Sequence, residues 1–227
     1  MGVLALLFSL FLPSDRREAA ELEDDDDLTL KQFFLIFREP RLLPVYSVIV
    51  INMFMVGILF GFLPVYLYWI GYTPVQSGTI VSVATLSYLM VQPLAGYLAD
   101  RIEIRITVLV GLLLAASAII VTTFTSGPVL ILVVVLSGIG IGTVWTNCDA
   151  LVSSLAEENR LGASMGAAQS FKEFGDMVGP LLIGLVTQLS NVRVGFITCG
   201  SIGIVLLTLL MKAQLSSAEE TKSIPLP

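Results

Sequence analysis

The stretch LPVYSVIVINMFMVGILFGFLPVYLYW, residues 43–69, contains no charged side chain. A helix of about 20 mostly apolar residues crosses the ~30 Å hydrocarbon core of a bilayer. The run is long, continuous and not alternating, and in lipid each backbone polar group must be satisfied within its own segment, which favours helix over strand. This stretch therefore predicts a membrane-spanning helix.

Five further apolar runs follow, separated by short polar or Gly/Pro breaks. They cover approximately residues 76–98, 104–123, 128–151, 162–187 and 194–211. The sequence thus predicts an all-α membrane protein whose six transmembrane helices form a bundle over residues 43–212.

Composition agrees with this prediction. Of 227 residues, 56% are hydrophobic and 13% charged, and the mean hydropathy is +0.90, whereas soluble domains carry about 25% charged residues. The chain has no histidine and two cysteines, which excludes histidine-based catalysis, histidine metal sites and a disulfide scaffold. The net charge of −6 argues against a nucleic-acid partner, and no enzyme activity, metal or cofactor is expected.

Positive charges indicate the orientation of the bundle, because Lys and Arg concentrate in cytoplasmic loops. Apart from Lys172 inside a predicted span and Arg193 on the opposite side, all Lys and Arg residues fall on one side. They are Arg16, Arg17, Lys31, Arg38, Arg41, Arg101, Arg105, Arg160, Lys212 and Lys222. We expect a multi-pass protein of the cell membrane with both termini in the cytoplasm.

The flanking segments differ from the bundle. Residues 1–14 are predicted to be the apolar stump of a preceding helix or an interfacial segment. Residues 15–42 combine an acidic cytoplasmic linker with an amphipathic helix, whose apolar residues recur at i, i+3, i+4 and i+7 from Leu30. The acidic run at 23–27 is interpreted as a solvated linker and not a metal site. Residues 213–227 are predicted to be a cytoplasmic tail.

Polar side chains inside a bilayer are costly and mark functional sites or helix contacts. They occur in the first, second, fourth and fifth spans, whereas the third and sixth have nothing stronger than Ser, Thr or Cys. We expect the first, second, fourth and fifth spans to line a cavity, with the candidate lining residues Asn52, Tyr88, Gln92, Trp145, Asn147 and Gln169.

The fifth span carries the most polar groups, and three of its residues are candidates for transport or proton coupling together with Asp149 of the fourth span. Lys172 and Asp176 have i, i+4 spacing and are expected to pair, either as part of the mechanism or as helix glue. Glu173 is then the better candidate for proton exchange, because poor solvation at that depth favours the neutral carboxyl group. Asp149 is either an interfacial acid or part of the site.

Two motifs resemble a known family. Gly96-Tyr-Leu-Ala-Asp100-Arg101-Ile-Glu-Ile-Arg105 lies between the second and third spans and resembles the inner-loop signature of the major facilitator superfamily. The fifth span is similar to the helix-packing motif of the drug–proton antiporter branch, with Ile183 in place of one glycine. Its matching residues are Gly166, Gly175, Gly179, Pro180 and Gly184.

The resemblance implies one half of a twelve-helix secondary transporter, and the acidic linker before the bundle makes this the C-terminal half. It implies proton-coupled export of a small organic compound by alternating access. The expected partners are the substrate, protons, the bilayer, and a matching N-terminal six-helix half or a second copy. The alternatives are a metabolite–proton symporter and a truncated, non-transporting membrane protein.

Overall fold

The computed structural model describes the backbone of residues 39–222 and the side chains up to Lys212. The predictions for residues 1–14, for most of the segment 15–42 and for residues 223–227 lie outside this range. Six long helices account for most of the described chain. They are α1 (Leu43–Trp69), α2 (Pro74–Ala99), α3 (Ile104–Thr122), α4 (Gly127–Leu155), α5 (Leu161–Leu189) and α6 (Val192–Lys222).

The predicted fold class is confirmed, since the described residues form helices and turns without a strand. Five of these six helices are long and apolar enough to cross a membrane. The exception is α5, which has 29 residues but carries Lys172, Glu173 and Asp176 near its middle. Because α5 packs along α1 and against α6, it belongs to the same bundle as the apolar helices.

Local sequence signals mark the start of α2. Pro74 is the first residue of α2, and Thr73 forms a capping box with Gln76, through bonds of 2.9 and 3.3 Å. Proline suits a helix start because its missing N–H would have no partner there. The turn before α2 contains Gly71 at φ +98°, a conformation that favours glycine. These features keep the connection between α1 and α2 short.

Helix α4 lies between α2 and α3 and packs extensively on both. Its glycines permit this, since a methyl group at Gly138 would lie 2.5 Å from the Ala84 carbonyl oxygen of α2, and one at Gly140 would collide with the backbone of Ala115 in α3. The Ser87 hydroxyl also donates to the Val135 carbonyl oxygen at 3.2 Å. Small residues at contacts are the usual means of close helix packing in membranes.

Two details depart from the predicted spans. Residues Ile58–Phe62 of α1 form a π-helical segment, in which the Leu63 N–H donates to the Ile58 carbonyl oxygen. Pro64 follows directly and has no N–H to donate, which favours a widened turn at this place. In addition, α6 continues to Lys222 rather than ending near residue 211, because Ala, Gln, Leu, Glu and Lys after the apolar stretch are good helix formers.

Candidate functional site

The candidate site begins with an ion pair between α4 and α5. The Lys172 ammonium group donates to Asp149 Oδ2 at 2.7 Å, and the exposed fractions of the two side chains are 10% and 34%. Trp145 precedes Asp149 by one helical turn, and the Lys172 Nζ lies 4.8 Å from the centre of its ring. A cation over an indole face is attracted by the ring quadrupole. Helix α4 therefore supplies both a counter-charge and an aromatic face to the lysine.

The predicted pairing of Lys172 with Asp176 is wrong. Lys172 is buried and is bonded to α4, whereas Asp176 is exposed. Spacing of i, i+4 makes a contact within one helix possible, but it carries no information about carboxylates on neighbouring helices. Burial of the ammonium group favours the partner that approaches from inside the bundle, and that partner is Asp149.

Asp149 is thus placed in the helix contact rather than left as an isolated interfacial acid. Its Oδ2 accepts from Lys172, while its Oδ1 is buried without a hydrogen-bond partner among the described side chains of residues 39–212. A carboxylate has capacity for several donors. The pair therefore retains an acceptor oxygen that a further donor could use.

Three aromatic rings continue from the ion pair across the bundle. Trp145 of α4 and Tyr88 of α2 meet edge to face with ring centres 6.1 Å apart, and Tyr88 meets Phe60 of α1 in the same way at 6.2 Å. Gln92 lies beside the Tyr88 hydroxyl, one turn further along α2. Phe60 was not predicted from the sequence, because an aromatic residue inside an apolar run gives no signal that separates a site from a core.

A second polar group lies on the exposed side of α5. The Gln169 amide donates to Glu173 Oε1 at 2.7 Å, and both side chains are exposed in the described bundle, as is Asp176. Neither acid forms an ion pair with any described residue. Since Asp149 pairs with Lys172, the two carboxyl groups on the exposed side of α5 have no cation beside them in the described residues.

The two asparagines among the predicted cavity residues lie between helices and not on an open surface. Asn147 is buried and donates to the carbonyl oxygens of Thr143 and Ala95, at 2.9 and 3.5 Å. Asn52 is buried as well, and its Oδ1 has no partner within the described chain. Asn147 therefore connects α4 with α2, while Tyr88, Trp145 and Gln169 are more accessible.

The inner-loop motif forms the turn between α2 and α3. The Asp100 N–H donates to the Gly96 carbonyl oxygen at 3.1 Å at the end of α2. The Arg101 guanidinium lies 4.7 Å from the centre of the Tyr97 ring, and Arg105 is in the first turn of α3. Asp100 is exposed and pairs with no basic side chain in the described residues.

The glycines of the α5 motif differ in their surroundings. A methyl group at Gly175 would lie 2.7 Å from the Met53 Cβ, and one at Gly179 would lie 2.7 Å from the Phe54 Cδ1, both in α1. One at Gly184 would make an ordinary contact at 3.6 Å, and one at Gly166 would meet nothing within 4 Å. The close approach of α5 to α1 is thus concentrated at Gly175 and Gly179.

Pro180 lies in the same contact. A methyl group added at Gly57 of α1 would lie 3.1 Å from the Pro180 Cγ. Pro180 has no N–H and cannot donate to the carbonyl group one turn earlier in α5. The Pro180 ring of α5 therefore packs closely against Gly57 of α1.

Among residues 39–212, whose side chains the structure describes, no group of three or more His, Cys, Asp or Glu side chains is placed to hold a metal ion. Both cysteines, Cys148 and Cys199, are buried as free thiols. The chemistry that the described site offers is therefore that of carboxylates, one ammonium group, amides and aromatic faces.

Comparison with known proteins provides the family. The model of the Major Facilitator Superfamily matches residues 45–225. The quinolone resistance protein NorA of Staphylococcus aureus is 27% identical over 150 residues, which are 66% of this chain and 38% of that protein. An uncharacterized MFS-type transporter from Schizosaccharomyces pombe is 30% identical over 155 residues, which are 65% of this chain and 35% of that protein.

A solved structure shows the same fold. The peptide transporter POT in complex with sulfate superposes with a TM-score of 0.69 at 20% identity, over 76% of this chain and 37% of that chain. The chain thus spans less than two fifths of the length of the proteins it matches. The match of the family model over most of the chain, with six helices in one bundle, shows that this protein belongs to the major facilitator superfamily.

Proposed function

We propose that this chain forms one half of a secondary active transporter that exports a small organic compound in exchange for protons. Membership of the superfamily and the similarity to a quinolone resistance protein support this proposal. Alternating access needs two halves that rock around a shared cavity. Transport of a metabolite by proton symport is the alternative within the same mechanism.

The position of Glu173 carries the proposal. Its carboxylate lies near the middle of α5, on an exposed side of the helix, with the Gln169 amide as its bonded partner. Lys172, the neighbouring cation, is engaged by Asp149. A carboxyl group without a fixed counter-charge can change its protonation when its access to water changes, since a poorly solvated site favours the neutral form.

The proposed partner is a matching six-helix half or a second copy of this bundle. Helices α2 and α5 expose large apolar side chains, among them Met90 and Leu94 of α2 and Met177 and Leu181 of α5. The exposed acids of α5 lie among these side chains on the same helix. A surface with both kinds of residue suits a contact that encloses a cavity better than a contact with lipid alone.

The proposed placement follows the charge distribution. Both termini lie in the cytoplasm, and the bundle is in the cell membrane as the C-terminal half of the complete transporter. An even number of crossings brings the start of α1 and the end of α6 to the same side, and this side carries most of the Lys and Arg residues.

The experiment uses the complete transporter, with a matching first half fused to or expressed with this chain. We expect Glu173→Gln to accumulate normally and to keep substrate counterflow, which needs no proton gradient. It should lose the substrate accumulation in inverted vesicles that an imposed pH gradient drives. Asp176→Asn is the matched control, because it removes another exposed acid of the same helix.

Two results would count against the proposal. Gradient-driven transport by Glu173→Gln at the wild-type rate would exclude Glu173 as the coupling residue. Uptake into intact cells in place of export, with the same pH dependence, would identify a symporter.

A further inference from the structure

The further inference concerns a cavity at the inner end of the bundle, beside the inner-loop motif and separate from the ion pair of Lys172 with Asp149. It has a volume of about 740 Å³ and lies where α1 and α3 begin and where α4 and the apolar part of α6 end. Its walls are mostly aliphatic, with Val48, Leu109 and Leu151 among them. Ile106 at its edge is 47% exposed, so the cavity reaches the surface of the bundle.

Three charged residues line the same cavity. Arg41 precedes α1, Arg105 lies in the first turn of α3, and Glu103 is the residue before that helix. All three are exposed, and neither arginine forms an ion pair with a described residue. The lining therefore carries a net charge of +1, from two guanidinium groups and one carboxylate.

The start of α3 adds to the positive potential. Glu103 makes no side-chain cap at this helix start, and the first N–H groups of a helix carry a partial positive charge. Guanidinium groups bind phosphate through paired hydrogen bonds. Arg105 and the start of α3 therefore offer donors for an anionic oxygen at the charged edge of an apolar cavity.

A soluble anion would use only the charged edge and would leave the aliphatic part to water, which apolar cavities do not hold well. A molecule with an anionic head and a hydrocarbon tail satisfies both parts. The bilayer around a membrane-spanning bundle supplies such molecules, and basic pockets between transmembrane helices suit their headgroups. We infer that this cavity binds an anionic phospholipid, with its phosphate at Arg41 and Arg105 and an acyl chain along Val48 and Leu109.

The test uses the full chain in nanodiscs and in detergent. Binding of phosphatidylglycerol and of phosphatidylcholine is measured by native mass spectrometry and by the shift in melting temperature during lipid titration. We expect phosphatidylglycerol to bind preferentially. The double variant Arg41→Gln, Arg105→Gln should bind it at least about tenfold more weakly, because it removes both guanidinium groups that would bond the phosphate.

Further variants separate this site from general surface charge. Arg160→Gln removes an exposed arginine that pairs with Glu157 and does not line the cavity, and it should bind like the wild type. Glu103→Gln removes the carboxylate and should strengthen binding. Leu109→Trp fills the cavity and should displace the acyl chain without a change in charge. Arg105→Lys is the milder variant to measure if the glutamine variants fail to fold, and it should retain part of the affinity.

Several results would overturn the inference. They are equal binding of both lipids, an unchanged affinity in the double arginine variant, and an equal loss in Arg160→Gln. Stabilisation by inorganic phosphate to the same extent as by phosphatidylglycerol would identify a site for a free anion.

Discussion

Lys172 in α5 donates a 2.7 Å hydrogen bond to Asp149 in α4, twenty-three residues earlier in the chain. The bond connects α4 with α5, and these two helices pack on each other less extensively than α1 packs on α5. It neutralises the lysine within the bundle and leaves Glu173 and Asp176 without a cation among the described residues. The electrostatic character of α5 is therefore set by a residue of another helix.

The first prediction concerns this ion pair. Asp149→Asn should lower the stability of the folded protein by about 1–3 kcal/mol, because it leaves a buried ammonium group without its counter-charge. Asp176→Asn should have little effect, since Asp176 is exposed and unpaired in the described chain. Thermal unfolding in detergent measures both. The double variant Asp149→Leu, Lys172→Met should recover much of the loss, and equal destabilisation by the two aspartate variants would contradict the pairing.

The second prediction concerns the contact between α5 and α1. Gly179→Ala should destabilise the protein by about 1–3 kcal/mol, because the new methyl group would lie 2.7 Å from the Phe54 Cδ1 and 3.0 Å from its Cα. Gly166→Ala is the matched control on the same helix, since its methyl group meets nothing within 4 Å and alanine is the better helix former. If both substitutions changed the melting temperature alike, helix propensity and not packing would explain the effect.

The third prediction concerns orientation. Ser126→Cys should react with a membrane-impermeant maleimide in intact cells, whereas Glu158→Cys should react only after permeabilisation. Both positions are exposed in the connections between long helices, and Ser126 makes no side-chain cap that the substitution would remove. The unaltered chain is the control, because Cys148 and Cys199 are buried. The reverse pattern of labelling would refute the proposed orientation.

The fourth prediction concerns the inner loop. Asp100→Asn should insert and accumulate normally, because Asp100 is exposed and forms no ion pair with a described residue. In the complete transporter it should slow the exchange between inward-open and outward-open states, since a carboxylate beside a helix start can bind donors of a facing element. Transport kinetics combined with distance measurements between spin labels test this. Transport at the wild-type rate would reduce Asp100 to a solvated loop residue.

The helices were predictable because hydropathy is a local property. A run such as residues 43–69 must satisfy its backbone polar groups within itself wherever its neighbours lie, so its composition is enough to identify a helix. The turn at Gly71 and the capping box of Thr73 are local in the same sense. The hydrogen bond between Gln169 and Glu173 also follows from residues four apart on one helix.

The partner of Lys172 and the role of Phe60 were not predictable in this way. Asp149 reaches Lys172 only because α4 and α5 are neighbours in the bundle, and Phe60 meets Tyr88 only because α1 and α2 are held together at that depth. Glycines of one motif also differ in their surroundings, since a methyl group at Gly179 would collide with α1 whereas one at Gly166 would meet nothing within 4 Å. The sequence shows a glycine at both positions and does not distinguish their surroundings.

By itself, the sequence determined the class of protein, the number of helices and the side of the bundle that carries most of the positive charge. These depend on composition and on segment length relative to the bilayer. Only the tertiary structure decided which carboxylate neutralises Lys172, which acids of α5 have no counter-charge among the described residues, and where an apolar cavity meets Arg41 and Arg105. The physical reason is that electrostatic and packing energies depend on distances between helices, and those distances arise only when the bundle assembles.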